Sequence, residues 1–374
     1  MLFQNAEIFT AEGKFIHGSF RVENGRFTEI LTTDCQEEGV DLHGALVIPG
    51  LVDVHIHGAM NADFSDGNEE GVRKMAAYLA SQGVTSFTAA SMTLPYEVLD
   101  KAYQVGDRIR KNRTAGCARL QGAQMEGPFF SEKKKGAQNA AYLRLPDAKA
   151  FAKLQADSDN MVKIVDVAAE LEGAAEFIQE ASKSCTVAVG HTDAAYEDAK
   201  AAFEAGASHL VHLFNAMPSI HHRKPGTIGA ASEREDVVAE LICDGLHVHP
   251  SSVRMAYKLF PGRICLISDA LRCCGMPDGE YELGGQPVFL KDSIARLTDG
   301  TIAGSATNLF QCMRNAIKFG IPREQAILSA TKIPAKEIGC DKEIGTIEPG
   351  KLADFVVCDQ DLNRKEVYIG GEKL

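Results

Sequence analysis

The sequence predicts an α/β protein, a (β/α)8 TIM-like barrel with a small discontinuous β-sandwich domain formed by both termini. From residue 51 onward, apolar strand-like runs alternate with helical patterns, which indicates parallel βα units. Both ends of the chain instead carry short alternating runs separated by glycine turns. We therefore predict a β-sandwich domain from residues 1–48 and 345–374, and a barrel domain from residues 49–344.

The terminal domain is predicted from period-two alternation. At the amino end, alternating runs occupy residues 2–9, 14–22, 27–31 and 45–48. Asn24-Gly25 separates two of them, and Asn-Gly in that position is a strong hairpin signal, so we expect an antiparallel unit. Residues 353–358 and 365–369 repeat the pattern at the carboxyl end, which favours one domain built from both ends.

The barrel is predicted from eight apolar runs, at residues 51–56, 84–90, 118–125, 161–169, 185–190, 209–213, 237–243 and 263–268. Helical patterns lie between most of them or follow the last, at 68–80, 95–110, 172–183, 194–205, 250–260, 306–319 and 322–331. A long excursion separates the third and fourth runs. Residues 280–302 contain two or three short strands, which we interpret as an inserted hairpin or a return to the terminal domain.

Composition narrows the class of protein. The 374 residues are 45% hydrophobic, and 39 Lys+Arg against 51 Asp+Glu give a net charge of −12, which argues against nucleic acid as the main partner. No apolar run approaches the ~20 residues that span a membrane, and the amino end lacks a signal-peptide pattern. The ten cysteines are scattered without a C-x-x-C framework. We expect a cytoplasmic protein without a membrane partner.

Seven polar side chains stand where predicted barrel strands end. His55 and His57 end the first strand, and residues two apart in a strand face the same side. The other five are Glu126, His191, His212, His247 and Asp269. Any one of them alone is more often structural, and an H-x-H pair alone is equally well explained as ordinary polar residues. Because the carboxyl ends of barrel strands meet at one face, burying all seven there without a partner would cost several kcal/mol.

Histidines and a glutamate at one barrel edge predict a divalent metal centre, because imidazoles with a carboxylate suit zinc and similar ions. The candidate ligands are His55, His57, Glu126, His191 and His212. They outnumber the ligands of one tetrahedral site, so we predict two Zn²⁺ ions, with Fe²⁺, Co²⁺ or Mn²⁺ as alternatives. Asp269 beside them is then placed to act as the general base that takes a proton from the attacking water.

These residues also carry a resemblance. The run from Pro49 to Gly58 and the triplet 268–270 resemble the amidohydrolase superfamily. Within it, the segments 125–129, 190–194, 212–217 and 244–247 are similar to the deacetylases of N-acetylglucosamine 6-phosphate. The resemblance covers nearly the whole chain and implies hydrolysis of that sugar's acetamido group to glucosamine 6-phosphate and acetate, in amino-sugar catabolism.

The resemblance also assigns roles to individual residues. It implies that Glu126, His191 and His212 are the main metal ligands and that Asp269 is the catalytic aspartate. The substrate-binding residues that it implies are Gln138, Asn215, Ala216, Arg223 and His247. His247 is expected to contact the sugar and Asn215 and Ala216 to line the phosphate site, whereas Arg223 is expected to reach the phosphate in the neighbouring subunit of a homodimer.

Two departures from the family pattern matter. Some relatives lack the H-x-H pair and bind one metal, so its presence here implies two. Some relatives have a histidine where Gln138 stands, and Gln138 can donate a hydrogen bond but no proton.

Rival interpretations stay open at this stage. Arg223 is equally well explained as part of a solvated basic loop, and Lys133 to Lys135 more often form a solvated face than a steering patch. Another amidohydrolase reaction, on a cyclic amide or a heterocyclic amine, is the alternative enzymatic function. The non-enzymatic alternative is a metal-free binding protein.

Overall fold

The computed structural model describes residues 1–33 and 37–374. Its strands in chain order are β1 Leu2–Phe9, β2 Phe15–Glu23, β3 Arg26–Leu31, β4 Val40–Pro49, β5 Leu51–Ile56, β6 Gly58–Ala59, β7 Ala62–Asp63, β8 Val84–Ser91, β9 Arg119–Met125, β10 Val162–Val167, β11 Thr186–Val189, β12 His209–Leu210, β13 Val238–Ile242, β14 Ile264–Ile267, β15 Gly279–Leu283, β16 Gln286–Lys291, β17 Ile294–Leu297, β18 Ile302–Ser305, β19 Phe355–Cys358, β20 Arg364–Ile369 and β21 Glu372–Lys373. Its α-helices are α1 Glu69–Ser81, α2 Tyr96–Lys111, α3 Ala148–Asp157, α4 Ala174–Ala181, α5 Tyr196–Ala205, α6 Gly226–Ser232, α7 Pro250–Leu259, α8 Leu309–Lys318, α9 Arg323–Ala330 and α10 Lys332–Glu337. None of these helices combines the length and hydropathy that crossing a bilayer requires.

Eight parallel strands form a nearly closed barrel in the order β5-β8-β9-β10-β11-β12-β13-β14. A backbone bridge between Ile56 and Ala270 joins the last strand back to the first. The predicted barrel is therefore confirmed, with its strands neighbouring one another in chain order. The sixth strand is shorter than the predicted 209–213, because the backbone turns into the left-handed region at His212, where φ is 24°.

Apolar side chains fill the interior of the barrel. Val52 and Val54 of β5 pack in one cluster with Ile242 of β13 and Ile267 of β14, and Ala335 of α10 belongs to the same cluster. All six residues of β5 are buried. The candidate polar residues lie at or just beyond the carboxyl ends of the strands, for example Glu126 directly after β9.

The two termini form one seven-stranded sheet in the order β3-β2-β1-β4-β19-β20-β21. Its pairs are antiparallel except β1 with β4, so the expectation of an entirely antiparallel unit is wrong at that pair. Strand β4, which is parallel to β1, leads through Gly50 into the first barrel strand, β5. The sheet curls on itself: the rings of Phe20 in β2 and Phe355 in β19 lie 5.1 Å apart although two strands separate them. An aromatic core thus lies between the two halves of the sheet, in the manner of the predicted sandwich.

Strands β15 to β18 form a separate four-stranded antiparallel sheet. The segment is therefore an insertion, and the alternative of a return to the terminal domain is wrong. Helix α3 lies inside the excursion after β9, for which we predicted no helix, although Asp147 caps it by accepting hydrogen bonds from the backbone N–H groups of Lys149 and Ala150. Helix α6 was also not predicted, because its sequence, with two glycines, one threonine, one serine, two alanines and one isoleucine, lacks helical periodicity.

Candidate metal centre and active site

A cavity of about 340 Å³ opens at the carboxyl ends of the barrel strands. Nine predicted site residues line it: His57, Glu126, Gln138, His191, His212, Asn215, Ala216, His247 and Asp269. His55 is fully buried beside Glu126, with its Nε2 atom 3.5 Å from Oε1 of the carboxylate. Residues 301–304 from the inserted sheet line the cavity as well. The structure therefore brings the predicted residues together at one face, with the exception of Arg223.

Five of these residues form two groups of potential metal ligands that share Glu126. His55 and His57 complete one group and His191 and His212 the other, and the ligand atoms of each group lie within 4.8 Å of one another. Oε1 of Glu126 lies 3.2 Å from Nε2 of His191 and 3.3 Å from Nε2 of His212. The Glu126 carboxylate is thus common to both groups, and it would be available to either ion.

The hydrogen bonds behind the ligands determine which nitrogen faces the cavity. Nδ1 of His191 lies 2.8 Å from the carbonyl oxygen of Lys134, which only accepts, so the neutral ring carries its proton there and its lone pair on Nε2. Nδ1 of His55 likewise donates to the Glu240 carboxylate at 3.0 Å. Nε2 of His55 has no hydrogen-bond partner among the described residues, although it is buried. Buried acceptor atoms that converge in this way repel one another unless a cation lies among them, so the donor set fits a divalent metal.

The backbone is strained where the strands deliver these side chains. His191, His212 and Asp269 have φ angles of 44°, 24° and 48°, in the left-handed region that non-glycine residues rarely adopt. Such conformations persist only where the surroundings hold them, and they cluster at functional sites. Asp269 is held from both sides, because its N–H donates to the carbonyl of His55 at 2.9 Å and its carbonyl accepts from Ser305 at 2.8 Å.

The Asp269 carboxylate faces the ligand groups. Its Oδ1 lies 3.4 Å from Nε2 of His57 and 3.7 Å from Nε2 of His55. Burial would raise the pKa of Asp269, but the hydrogen bond from His57 holds it below its usual value. The neighbouring Ser268 hydroxyl donates to the buried Asp53 carboxylate at 2.6 Å, which ties this segment to β5. An ionised, positioned carboxylate of this kind can accept a proton from a reacting group.

Comparison with known proteins agrees with this geometry. The amidohydrolase family model matches residues 46–374. The chain belongs to the amidohydrolase family. Among its relatives, the N-acetylglucosamine-6-phosphate deacetylase of Vibrio furnissii is 35% identical over 93% of this chain and 88% of its own length. The N-acetylgalactosamine-6-phosphate deacetylase of Escherichia coli O157:H7 is 34% identical over 87% of each chain.

A solved structure extends the likeness to the whole fold. It is the N-acetyl-D-glucosamine-6-phosphate deacetylase of Mycobacterium smegmatis, an aspartate-to-alanine mutant in complex with N-acetyl-D-glucosamine-6-phosphate. It superimposes with a TM-score of 0.93 at 31% identity, covering 100% of this amidohydrolase and 98% of that chain.

In this amidohydrolase, the side chain of Gln138 is hydrogen-bonded to Glu126, a candidate metal ligand. Its side-chain oxygen accepts a hydrogen bond from the backbone N–H of Thr93 at 2.8 Å, which orients the amide nitrogen toward Oε2 of Glu126. Gln138 therefore lines the cavity as expected, but its donor group is already engaged by Glu126.

The remaining predicted substrate-binding residues surround the other side of the cavity. Asn215 donates from its side chain to the carbonyls of His212 and Leu213, both at 3.2 Å, and Ala216 adopts a φ of 51°. His247 contacts Asp244 with its Nδ1 atom 2.6 Å from the carboxylate. Burial would lower the pKa of His247, but the bond to Asp244 raises it above its ordinary value. The bond to Asp244 thus holds the imidazole at the cavity wall and favours its protonated form.

Arg223 is not brought to the site of its own chain. It is exposed, does not line the cavity, and its Nη1 lies 2.6 Å from Nε2 of His222. Lys133 and Lys134, in contrast, do line the cavity, and Lys133 pairs with Asp193 at 3.1 Å. Two cations of the amidohydrolase therefore stand at the cavity wall, and the 79% exposure of the Lys133 side chain agrees with the solvated face that was the favoured interpretation of their run.

Sequence reasoning missed the buried polar residues behind the ligands. Glu240 contacts His55 and also accepts the backbone N–H of His212 at 3.0 Å. His209 lies between Glu240 and Glu337. A signal was present in the sequence, since Glu240 is the one charged residue within the apolar run 237–243.

Proposed function

We propose that this amidohydrolase removes the acetyl group of N-acetyl-D-glucosamine 6-phosphate, giving D-glucosamine 6-phosphate and acetate in amino-sugar catabolism. The observation that carries the proposal is the arrangement of Asp269 beside two ligand groups that share Glu126, within a cavity that also exposes cationic side chains. Relatives at about 35% identity over most of the chain bear the name of this activity.

The ligands proposed for the metal are His55, His57, Glu126, His191 and His212, which would hold two Zn²⁺ ions, or Fe²⁺, Co²⁺ or Mn²⁺ in their place. A bound divalent ion supplies Lewis-acid activation of water and of the acetyl carbonyl. The second-layer contacts support this assignment, because His191 and His55 have their Nδ1 protons bound elsewhere and direct Nε2 to the centre.

Asp269 would carry the proton in both halves of the reaction. As the water oxygen bonds to the acetyl carbon, the carboxylate takes the proton that the water loses. When the carbon–nitrogen bond breaks, the protonated carboxyl returns that proton to the departing amine, and acetate and the amino sugar leave. The depressed pKa of Asp269 keeps it ionised at neutral pH and ready for the first step.

The sugar phosphate would bind at the cationic side of the cavity. His247, Asn215 and Ala216 line that side, and Lys133 and Lys134 add positive charge despite the net charge of −12. We further propose a homodimer in which Arg223 of one subunit reaches the phosphate in the other. This is supported by its exposure outside the cavity of its own chain and by the fit of a guanidinium to phosphate.

We also propose a cytoplasmic location, where thiols stay reduced. The nine cysteines that the structure describes are all free thiols, as expected for a reducing compartment.

A second candidate substrate is N-acetylgalactosamine 6-phosphate. A deacetylase of that sugar is 34% identical to this chain, nearly as similar as the glucosamine enzymes. The two sugars differ only at one hydroxyl, so their acetamido groups would meet the same ligands and the same Asp269.

Acetate release from three sugars tests these alternatives. The purified protein would be assayed with N-acetylglucosamine 6-phosphate, N-acetylgalactosamine 6-phosphate and unphosphorylated N-acetylglucosamine, each before and after chelation and zinc readdition. The proposal expects the highest kcat/KM for the first sugar and a metal-dependent rate. Preference for the second sugar would move the assignment to that epimer, and no acetate from any of them would overturn it.

A further inference from the structure

A chain of buried hydrogen bonds leads away from the candidate metal centre through the barrel. Nδ1 of His55 contacts Oε2 of Glu240 at 3.0 Å, and Oε1 of Glu240 contacts Nε2 of His209 at 3.1 Å. Nδ1 of His209 then contacts Oε2 of Glu337, at the end of α10, at 2.9 Å. The side chains of His55, Glu240 and His209 have no solvent exposure, and that of Glu337 is 10% exposed. The chain therefore joins a proposed metal ligand to a helix outside the barrel.

The partners of each group determine its protons. Carboxylates accept only, so His209 donates from both ring nitrogens and is an imidazolium. Burial would lower the pKa of His209, but the two carboxylates raise it to about 10. Glu240 is then ionised and held by a fixed cation, and it accepts the Nδ1 proton of His55. Because Glu240 holds this proton on Nδ1, the lone pair of His55 is on Nε2, which faces the cavity.

Glu240 supports both ligand groups at once. Besides His55, its Oε2 accepts the backbone N–H of His212 at 3.0 Å, where the backbone adopts a φ of 24°. One carboxylate thus fixes the ring of a ligand in one group and the strained main chain of a ligand in the other. An interior position in β13 filled by an apolar residue would avoid the desolvation of a charge, so stability alone is a poor reason for a glutamate there.

We propose that Glu240, locked by His209 and Glu337, is a positioning residue that sets the metal affinity of the centre. The inference rests on the metal centre of the proposed function and adds residues outside its ligand set. Carboxylates that accept the second ring proton of a histidine ligand orient the ring and raise its basicity. We expect Glu240 to act most strongly on the ion held by His55 and His57, because His55 depends on it for its orientation.

Glu240→Gln tests the charge while keeping the hydrogen bonds. The amide oxygen can accept from His55 and His212, and the amide nitrogen can donate to His209, which then becomes neutral and keeps its bond to Glu337. We expect competition with a zinc chelator to show roughly 10–100-fold weaker binding of the more weakly held ion. The metal content measured after dialysis should fall from two ions per chain toward one. The fold decrease in kcat should exceed the fold increase in KM.

Asp354→Asn is the matched control, because it shows what the loss of a buried carboxylate does to the fold alone. Asp354 is also a buried carboxylate in an ion pair, with Arg119 at 2.8 Å, but it touches no proposed ligand. We expect this variant to lose thermal stability while its zinc affinity stays that of the unmodified protein. Should Glu240→Gln not fold, Glu337→Gln at the partly exposed end is expected to weaken zinc several-fold through His209.

The outcomes separate the two proposals. The positioning role would be overturned if Glu240→Gln kept the zinc affinity and stoichiometry of the wild type. It would also be overturned if Asp354→Asn lost as much zinc affinity as Glu240→Gln. If Glu240→Gln does not fold, unchanged zinc affinity in Glu337→Gln would overturn it as well. A wild-type protein that binds no divalent metal would overturn it together with the metal centre. Tight zinc binding that weakens in Glu240→Gln, without acetate release from any sugar, would support the positioning role and overturn only the proposed function.

Discussion

The Nε2 atoms of His191 and His212 lie 3.1 Å apart, and both are within 3.3 Å of Oε1 of Glu126. With the proton of His191 on Nδ1, two acceptor atoms, Nε2 of His191 and Oε1 of Glu126, face each other at 3.2 Å. We therefore expect removal of divalent metal with a chelator to abolish acetate release and to lower the melting temperature. A ligand at 100 times its Kd stabilises the folded state by about 2.7 kcal/mol, which sets the scale of the shift.

Zinc readdition should restore both activity and melting temperature, measured by acetate assay and thermal denaturation. Asp269→Asn provides the control, since it keeps the ligands and should show the same thermal shift while remaining inactive. Full activity after exhaustive chelation, with metal analysis at background, would contradict the metal centre.

Replacing Asp269 with Asn tests the proton carrier. The amide keeps the size of the side chain and its contacts but cannot take the proton of the attacking water. We expect kcat to fall by roughly 10²–10⁴-fold, the range that general acid–base catalysis supplies. Bound metal, measured by elemental analysis, should stay at the wild-type level. Near-normal turnover in this variant would remove Asp269 from the mechanism.

The meeting of the candidate metal ligands could be predicted from the sequence because each stands at the end of a strand, and parallel barrel strands deliver their ends to one face. The support behind them could not be predicted. Glu240 lies 185 residues from His55, and His209 lies 128 residues from Glu337. Such pairs meet only because the barrel closes, and periodicity carries no information on which interior residues then face one another.

Gln138 and the sixth strand show that tertiary contacts limit prediction from sequence over short segments as well. Gln138 lines the cavity as expected, but the sequence did not indicate that its amide also contacts Glu126 and Thr93. The strand that we predicted over 209–213 ends at Leu210, because backbone and side-chain contacts at His212 override the apolar pattern. Local pattern predicted where each element lies, and the tertiary contacts decided where it ends.

Gly127 tests how closely Glu126 depends on its backbone. Its φ is 95°, and an added Cβ would lie 2.0 Å from Oγ1 of Thr93. We expect Gly127→Ala to cost about 1–3 kcal/mol in backbone strain alone and to weaken zinc binding by displacing Glu126. Gly350→Ala is the matched control, with a φ of 92° and open space around the Cβ. Thermal denaturation should show a smaller loss of stability in Gly350→Ala, and chelator competition should show no loss of zinc affinity there. Equal effects in the two variants would refute the role of the contact with Thr93.

Arg223→Ala tests the contribution of a partner subunit. Loss of a charge-assisted contact worth about 1.5–3 kcal/mol should raise KM for the phosphorylated sugar roughly 10–100-fold, with little effect on the unphosphorylated sugar. Mixing this variant with Asp269→Asn provides the decisive measurement. A hybrid dimer has one site with its own Asp269 and the Arg223 of the other subunit. At substrate concentrations well below the KM of Arg223→Ala, the mixture should therefore recover activity that neither variant shows alone. No recovery, in subunits shown to exchange, would place Arg223 outside the site.

Asp244→Asn tests the charge on His247. The pKa of His247 is raised above 6.5 because the bond to Asp244 outweighs burial, so the imidazolium persists to higher pH than usual. A contact between this cation and the phosphorylated sugar is present below the raised pKa and is lost as the pH rises through it. In Asp244→Asn the pKa falls, so the rise in KM should begin at lower pH, while KM at acidic pH stays close to wild type. The pH profile of KM for N-acetylglucosamine 6-phosphate measures this shift, and superimposable profiles would show that His247 does not bind the substrate as a cation.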